Sequence, residues 1–142
     1  MIDDAVRNSP TAGARLYTDG QITLATFCGA PIAGFVLLAS NYRKLGDNDR
    51  ARAFVLWGAA ATVALFVVVF FLPDNFPHLA LPLGCCFGMR QLALQLQGRA
   101  VADHLAAGGL KGSWGVTVAV GLGCSAVILV LIFGALMFLN AG

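Results

Sequence analysis

The chain has 142 residues, of which 58% are hydrophobic and 11% charged, with a formal net charge of +2 and a mean hydropathy of +0.80. Soluble domains carry about a quarter charged residues, so the composition excludes an ordinary water-facing surface. The small net charge excludes a phosphate-binding footprint, and the length leaves no room for a soluble catalytic domain beside three or four membrane spans.

Residues 1–20 are polar, partly acidic and without sustained periodicity, which predicts a tail rather than a cleavable leader. Thr18 and Gln21 have the T-x-x-Q spacing of a capping box, and Tyr17 before them suits a membrane interface. The first predicted span covers residues 21–40, with a kink at Pro31, which removes a backbone donor in mid-helix. Ala25, Gly29 and Ala33 form a small-residue ridge along it, the kind that admits close approach by another helix. The loop over 41–52 carries Arg43, Lys44, Arg50 and Arg52; Gly46 is placed to end the preceding helix, and Asn48 or Asp49 to cap the next.

The second span, 53–72, is twenty residues without a charge, and as a helix it rises about 30 Å, the thickness of a bilayer core. The rest of the chain is expected to be organised around it. The short turn Pro73-Asp74-Asn75-Phe76-Pro77 predicts that the next helix returns antiparallel beside it. The third span, 77–96, is the weakest of the four, because Arg90 shortens its uncharged stretch; a re-entrant segment is the alternative. It continues as an amphipathic extension to about residue 107, where Gly108 and Gly109 stop it. Gly84 and Gly88 give it a G-x-x-x-G pair. The fourth span, 114–139, opens on Ser113 and Trp114 and presents two small ridges, Gly115, Ala119, Gly123 and Thr117, Gly121, Ser125.

The fold class expected is therefore all-α: a transmembrane bundle of four spans over 21–142 behind a polar tail. An even number of spans puts both termini on one side. Seven basic residues then fall in the loops 41–52 and 90–113, against Arg7 and Arg15 opposite. The positive-inside bias places loops 41–52 and 97–113 in the cytoplasm and both termini outside.

Residues that carry chemistry are scarce. There is no glutamate, every aspartate lies outside the apolar stretches, and Cys28, Cys85, Cys86 and Cys124 follow no metal or redox spacing. No catalytic residue, cofactor site or metal site is expected, and the chain reads as a non-enzyme. Arg90 with Gln91 is the candidate contact for a lipid headgroup or an anion, and His78 reads as an interfacial side chain.

The segment LYTDGQITLATFCGAPIAGFVLLASNYRKLG, from Leu16 to Gly46, pairs an ATF-x-G-x-P-x-AG first span with an N-Y-R-x-L-G exit. In this it resembles small uncharacterised bacterial polytopic inner-membrane proteins. The resemblance implies a compact membrane bundle and carries no activity with it.

The function expected is that of a structural or accessory integral membrane protein. Its surroundings would be the lipid bilayer and a second copy or a larger membrane complex, with no nucleic acid. The alternative is a small oligomeric transporter or channel with a polar path near Pro31, Thr62, Arg90, Thr117 and Ser125.

Overall fold

The computed structural model describes residues 13–77 and 79–142. Residues 1–12 of the predicted tail, and His78, lie outside them. The chain folds as an all-α bundle of four helices: α1 (Asp19–Lys44), α2 (Asn48–Phe71), α3 (Ala80–Ala106) and α4 (Trp114–Ala141). A short parallel bridge joins β1 (Arg15–Leu16) to β2 (Leu110–Lys111), with Arg15 opposite Leu110. By length and composition α1, α2 and α4 are apolar enough to cross a membrane. The boundaries follow local chemistry. Gln21 accepts the Thr18 amide at 3.0 Å, as the capping spacing predicts. Gly46 and Gly108 take up φ of +86° and +82° just past the ends of α1 and α3. The cap of α2 is Asp47, one residue before the pair expected, because its carboxylate reaches the Arg50 amide at 3.0 Å.

α1 is not a straight rod. Tyr17 and Asn41 stand 24 residues apart in sequence, yet the Tyr17 amide donates to Asn41 Oδ1 at 2.8 Å, and Asn41 Nδ2 donates to the Tyr17 carbonyl at 2.9 Å. A continuous helix would separate them by about 36 Å. Lys44 Nζ likewise donates to the Arg15 carbonyl and lies 4.5 Å from the centre of the Tyr17 ring. Midway, a Cβ added to Gly34 would collide with the Thr26 hydroxyl and come within 3.4 Å of the Ile22 carbonyl. These contacts require the segment to be folded double, with arms over 19–28 and 31–44 and a tip at Gly29-Ala30. The kinked single span expected over 21–40 is thus a helical hairpin. The third helix is continuous over 27 residues, and, as expected of the weakest span, it is the one of the four not apolar enough to count as membrane-crossing by length and composition.

The hairpin, not the long apolar α2, is the centre of the molecule. Every extensive helix–helix contact involves α1. It buries residues along its whole length, including Ala25, Gly29 and Ala33 of the predicted ridge, whereas α2 buries only Ala51, Gly58 and Thr62 and α4 only Thr117 and Gly121. Small residues admit close backbone approach at the tip, where Gly29 meets Gly121, while larger side chains such as Ile22, Leu37, Leu38 and Tyr42 fill the space towards the open end. The bulky run from Val67 to Phe71 faces outward instead.

The expected α2–α3 pair does not form as such: despite the short turn, each helix packs on the hairpin rather than extensively on the other. Because α1 returns to its starting end, the described chain begins and finishes at opposite ends of the bundle. Leu16 pairs with Lys111 beside the start of α4, and Gly142 lies beyond the other end of that 28-residue helix. For the described residues this geometry puts Gly13 and Gly142 towards opposite ends of the bundle, which differs from the even-span expectation of both ends together.

Candidate functional site

Local sequence dictates where the hairpin turns. Pro31 lacks an amide hydrogen, and its ring disfavours helical backbone at Ala30. Gly29 takes φ −128° and ψ 23°, and Ala30 takes φ 62° and ψ 177°. The second conformation is one that residues with a Cβ rarely adopt, at a cost of about 1–3 kcal/mol. The break also frees backbone polar groups inside an apolar bundle, where each must find a partner. The Ile32 amide donates to Thr62 Oγ1 of α2 at 3.1 Å, while that hydroxyl donates to the Gly58 carbonyl at 2.9 Å. On the other side, Ser125 Oγ of α4 donates to the Cys28 carbonyl. Both hydroxyls thus stabilise the turn from neighbouring helices.

Close packing fixes the tip against α4. A Cβ on Gly29 would strike the Gly121 backbone, and one on Gly121 would lie 2.8 Å from Cys28 Cβ. Where the hairpin meets α2, Phe35 closes on Gly58, and the Phe54 ring stacks 5.1 Å from Tyr42.

At the open end of the hairpin, three fully or almost fully buried amide side chains lock the arms together. Besides its two bonds to Tyr17, Asn41 donates to Gln97 Oε1 at 2.9 Å, and Gln97 Nε2 donates to the Leu38 carbonyl at 3.1 Å. Gln21 Nε2 donates to the Gly112 carbonyl at 2.7 Å, tying the first arm to the entry of α4. Among the described residues no buried side-chain nitrogen or oxygen lacks a partner. Nearby, burial and then the Arg15 guanidinium hold the Lys44 ammonium below its ordinary range.

Beyond the tip, a cleft of about 410 Å³ separates the outer halves of α2 and α3. Its floor is Ala30 and Pro31; its walls include Phe27, Leu65 and Cys85, and the turn residues Asp74 and Phe76 stand at its rim. A second space of about 680 Å³, between α2 and α4, is lined by aliphatic and aromatic groups with Thr62 and Cys124 among them.

The residues expected to line a polar path divide into two sets. Pro31, Thr62 and Ser125 meet at the hairpin tip. Thr117 is buried two turns earlier in α4, where its hydroxyl donates to the Ser113 carbonyl at 3.1 Å. Arg90 lies on the exposed side of α3, its Nε 3.3 Å from Asp19 Oδ2, and Gln91 beside it is exposed. The carboxylate already answers the charge that an anion would seek. Of the small-residue positions, Ala25, Gly29 and Ala33 are buried within the bundle, while Gly84, Gly88, Gly115, Ala119 and Gly123 are exposed. A Cβ on Gly84, Gly88 or Gly123 would meet nothing within 4 Å. Among the described residues no group of three His, Cys, Asp or Glu side chains is arranged to hold a metal ion.

Sequence reasoning did not single out the buried amides Gln21, Asn41 and Gln97 as partners. The available signal was their polarity inside or beside otherwise apolar segments, where a side-chain amide needs a bonding partner. Comparison of the chain with protein-family models, with curated proteins and with solved structures finds no significant match.

Proposed function

We propose that this chain is a non-catalytic structural or accessory protein of the bacterial inner membrane, and that it packs through exposed small-residue faces against a second copy or a larger membrane complex. One contrast carries the reading. Among the described residues every buried polar side chain has a partner within the bundle, whereas Gly84, Gly88 and Gly123 have open space above them and Gly115 and Ala119 are exposed. Lipid-exposed small residues are a favoured surface for helix association, since they let backbones approach. The inner-membrane assignment rests on the resemblance of Leu16–Gly46 to such proteins.

In this reading α2, α3 and α4 cross the bilayer, and α1 enters and leaves from the cytoplasmic side. The charge distribution supports that orientation. All eight described Lys and Arg residues belong to the end where the hairpin opens, or, for Arg90, pair with Asp19 at that end. The sole described charge at the opposite end is Asp74. A positive-inside bias of this kind keeps loops 41–52 and 97–113 in the cytoplasm, leaves the C-terminal end outside, and brings the N-terminal segment inside.

The test is association in mild detergent or in native membranes, by cross-linking of the tagged chain. The expected result is a species above monomer mass that Gly88→Leu or Gly123→Leu weakens without loss of helix content. A monomer, or an assembly indifferent to both substitutions, would contradict the proposal. A second reading, a small transporter or channel, draws support from the broken helix beneath the cleft. Substrate uptake by proteoliposomes that depends on Thr62 would favour it.

A further inference from the structure

We propose that the cleft between α2 and α3 is a binding site for an amphiphilic organic cation, an onium group carried on an apolar body. The inference does not rest on an accessory role; it rests on the shape and chemistry of the cleft. Its volume of about 410 Å³ lies in the range of small-molecule pockets, about 300–1,000 Å³. Its walls are the apolar outer halves of two helices that the short turn joins but that do not close on each other. Three rim and wall groups set the sign of the ligand's charge. Asp74 supplies a carboxylate, and Phe27 and Phe76 supply aromatic rings, whose negative faces attract onium groups. Among the described residues no Lys or Arg lines the cleft, and Asp74 makes no ion pair with any of them. An anion entering here would meet like charge, and a neutral apolar molecule would leave the carboxylate unused. A cation with an apolar body answers both features.

Two sources supply that chemistry: the ammonium headgroup of a zwitterionic lipid with its chains along the cleft, or a free lipophilic cation. The experiment uses full-length protein in nonionic detergent, with tetraphenylphosphonium as probe and isothermal titration as readout. Tetraphenylborate, its anion of the same shape, is the control. The expected result is saturable one-to-one binding of the phosphonium. Asp74→Asn should weaken it by about tenfold, a change of about 1.4 kcal/mol, Leu65→Trp should abolish it by filling the cleft, and the borate should not saturate. Asp74 is exposed and Leu65 lies on the cleft wall, so retained helix content separates lost binding from lost fold. Addition of phosphatidylethanolamine distinguishes the sources: displacement of the probe identifies a lipid headgroup, and indifference a free cation. Absence of saturable binding, equal affinity in Asp74→Asn, or equal binding of the borate would overturn the proposal.

Discussion

Asn41 and Tyr17 share two hydrogen bonds, 2.8 and 2.9 Å long, across a sequence separation of 24 residues. That pair converts an apolar stretch long enough to span a bilayer into a hairpin whose two ends meet. A third bond, from Asn41 Nδ2 to Gln97, extends the lock to α3.

Removing this amide should therefore cost more than an average core substitution. Asn41→Ala strands the Tyr17 amide, the Tyr17 carbonyl and the Gln97 side chain in a buried site. At about 1–3 kcal/mol for a buried polar group left unpaired, a loss of about 3 kcal/mol is expected after partial relaxation. Equilibrium unfolding in mixed detergent micelles measures it. A loss under about 0.5 kcal/mol, the range of an ordinary surface change, would contradict the lock.

The contact between the tip and α4 makes a paired prediction. Gly121→Ala places a methyl group 2.8 Å from Cys28 Cβ and must push the tip away; overpacking of this kind costs about 1–3 kcal/mol. Gly123→Ala, on the same helix with nothing within 4 Å, should leave stability unchanged. The same unfolding measurement compares them, and equal effects would contradict the packing.

Much of this fold was legible in the sequence, and the limit is physical. Helix positions followed from apolar length, Gly46 and Gly108 marked ends, and Thr18 with Gln21 marked a start. Pro31 signalled a disturbance, but a proline fixes only that a helix is disturbed, not by how much. The difference between a bent span and a hairpin lies in partners dozens of residues away: Asn41 with Tyr17, Thr62 with the Ile32 amide, Gly121 against Gly29. One trace was present. Counted with a four-span topology, Arg7 and Arg15 fall on the side poor in positive charge; with a re-entrant first segment, Arg15 joins the other described Lys and Arg residues on one side. The tip hydroxyls Thr62 and Ser125 were legible as a group, but not as supports for broken backbone rather than the lining of a path.

Orientation supplies a further prediction. In a cysteine-free background, Asn140→Cys in intact cells should react with a membrane-impermeant maleimide, and Arg15→Cys should react only after permeabilisation. Reaction of both without permeabilisation would restore the even-span topology.

The most direct test of the hairpin is a distance between its two ends. Arg15 and Arg43 are both exposed, so spin labels on Arg15→Cys and Arg43→Cys in a cysteine-free chain report that separation by pulsed dipolar spectroscopy. A folded-back α1 predicts a narrow distribution below about 20 Å, whereas a continuous helix at 1.5 Å per residue predicts about 42 Å. A principal peak near the longer value would contradict the account.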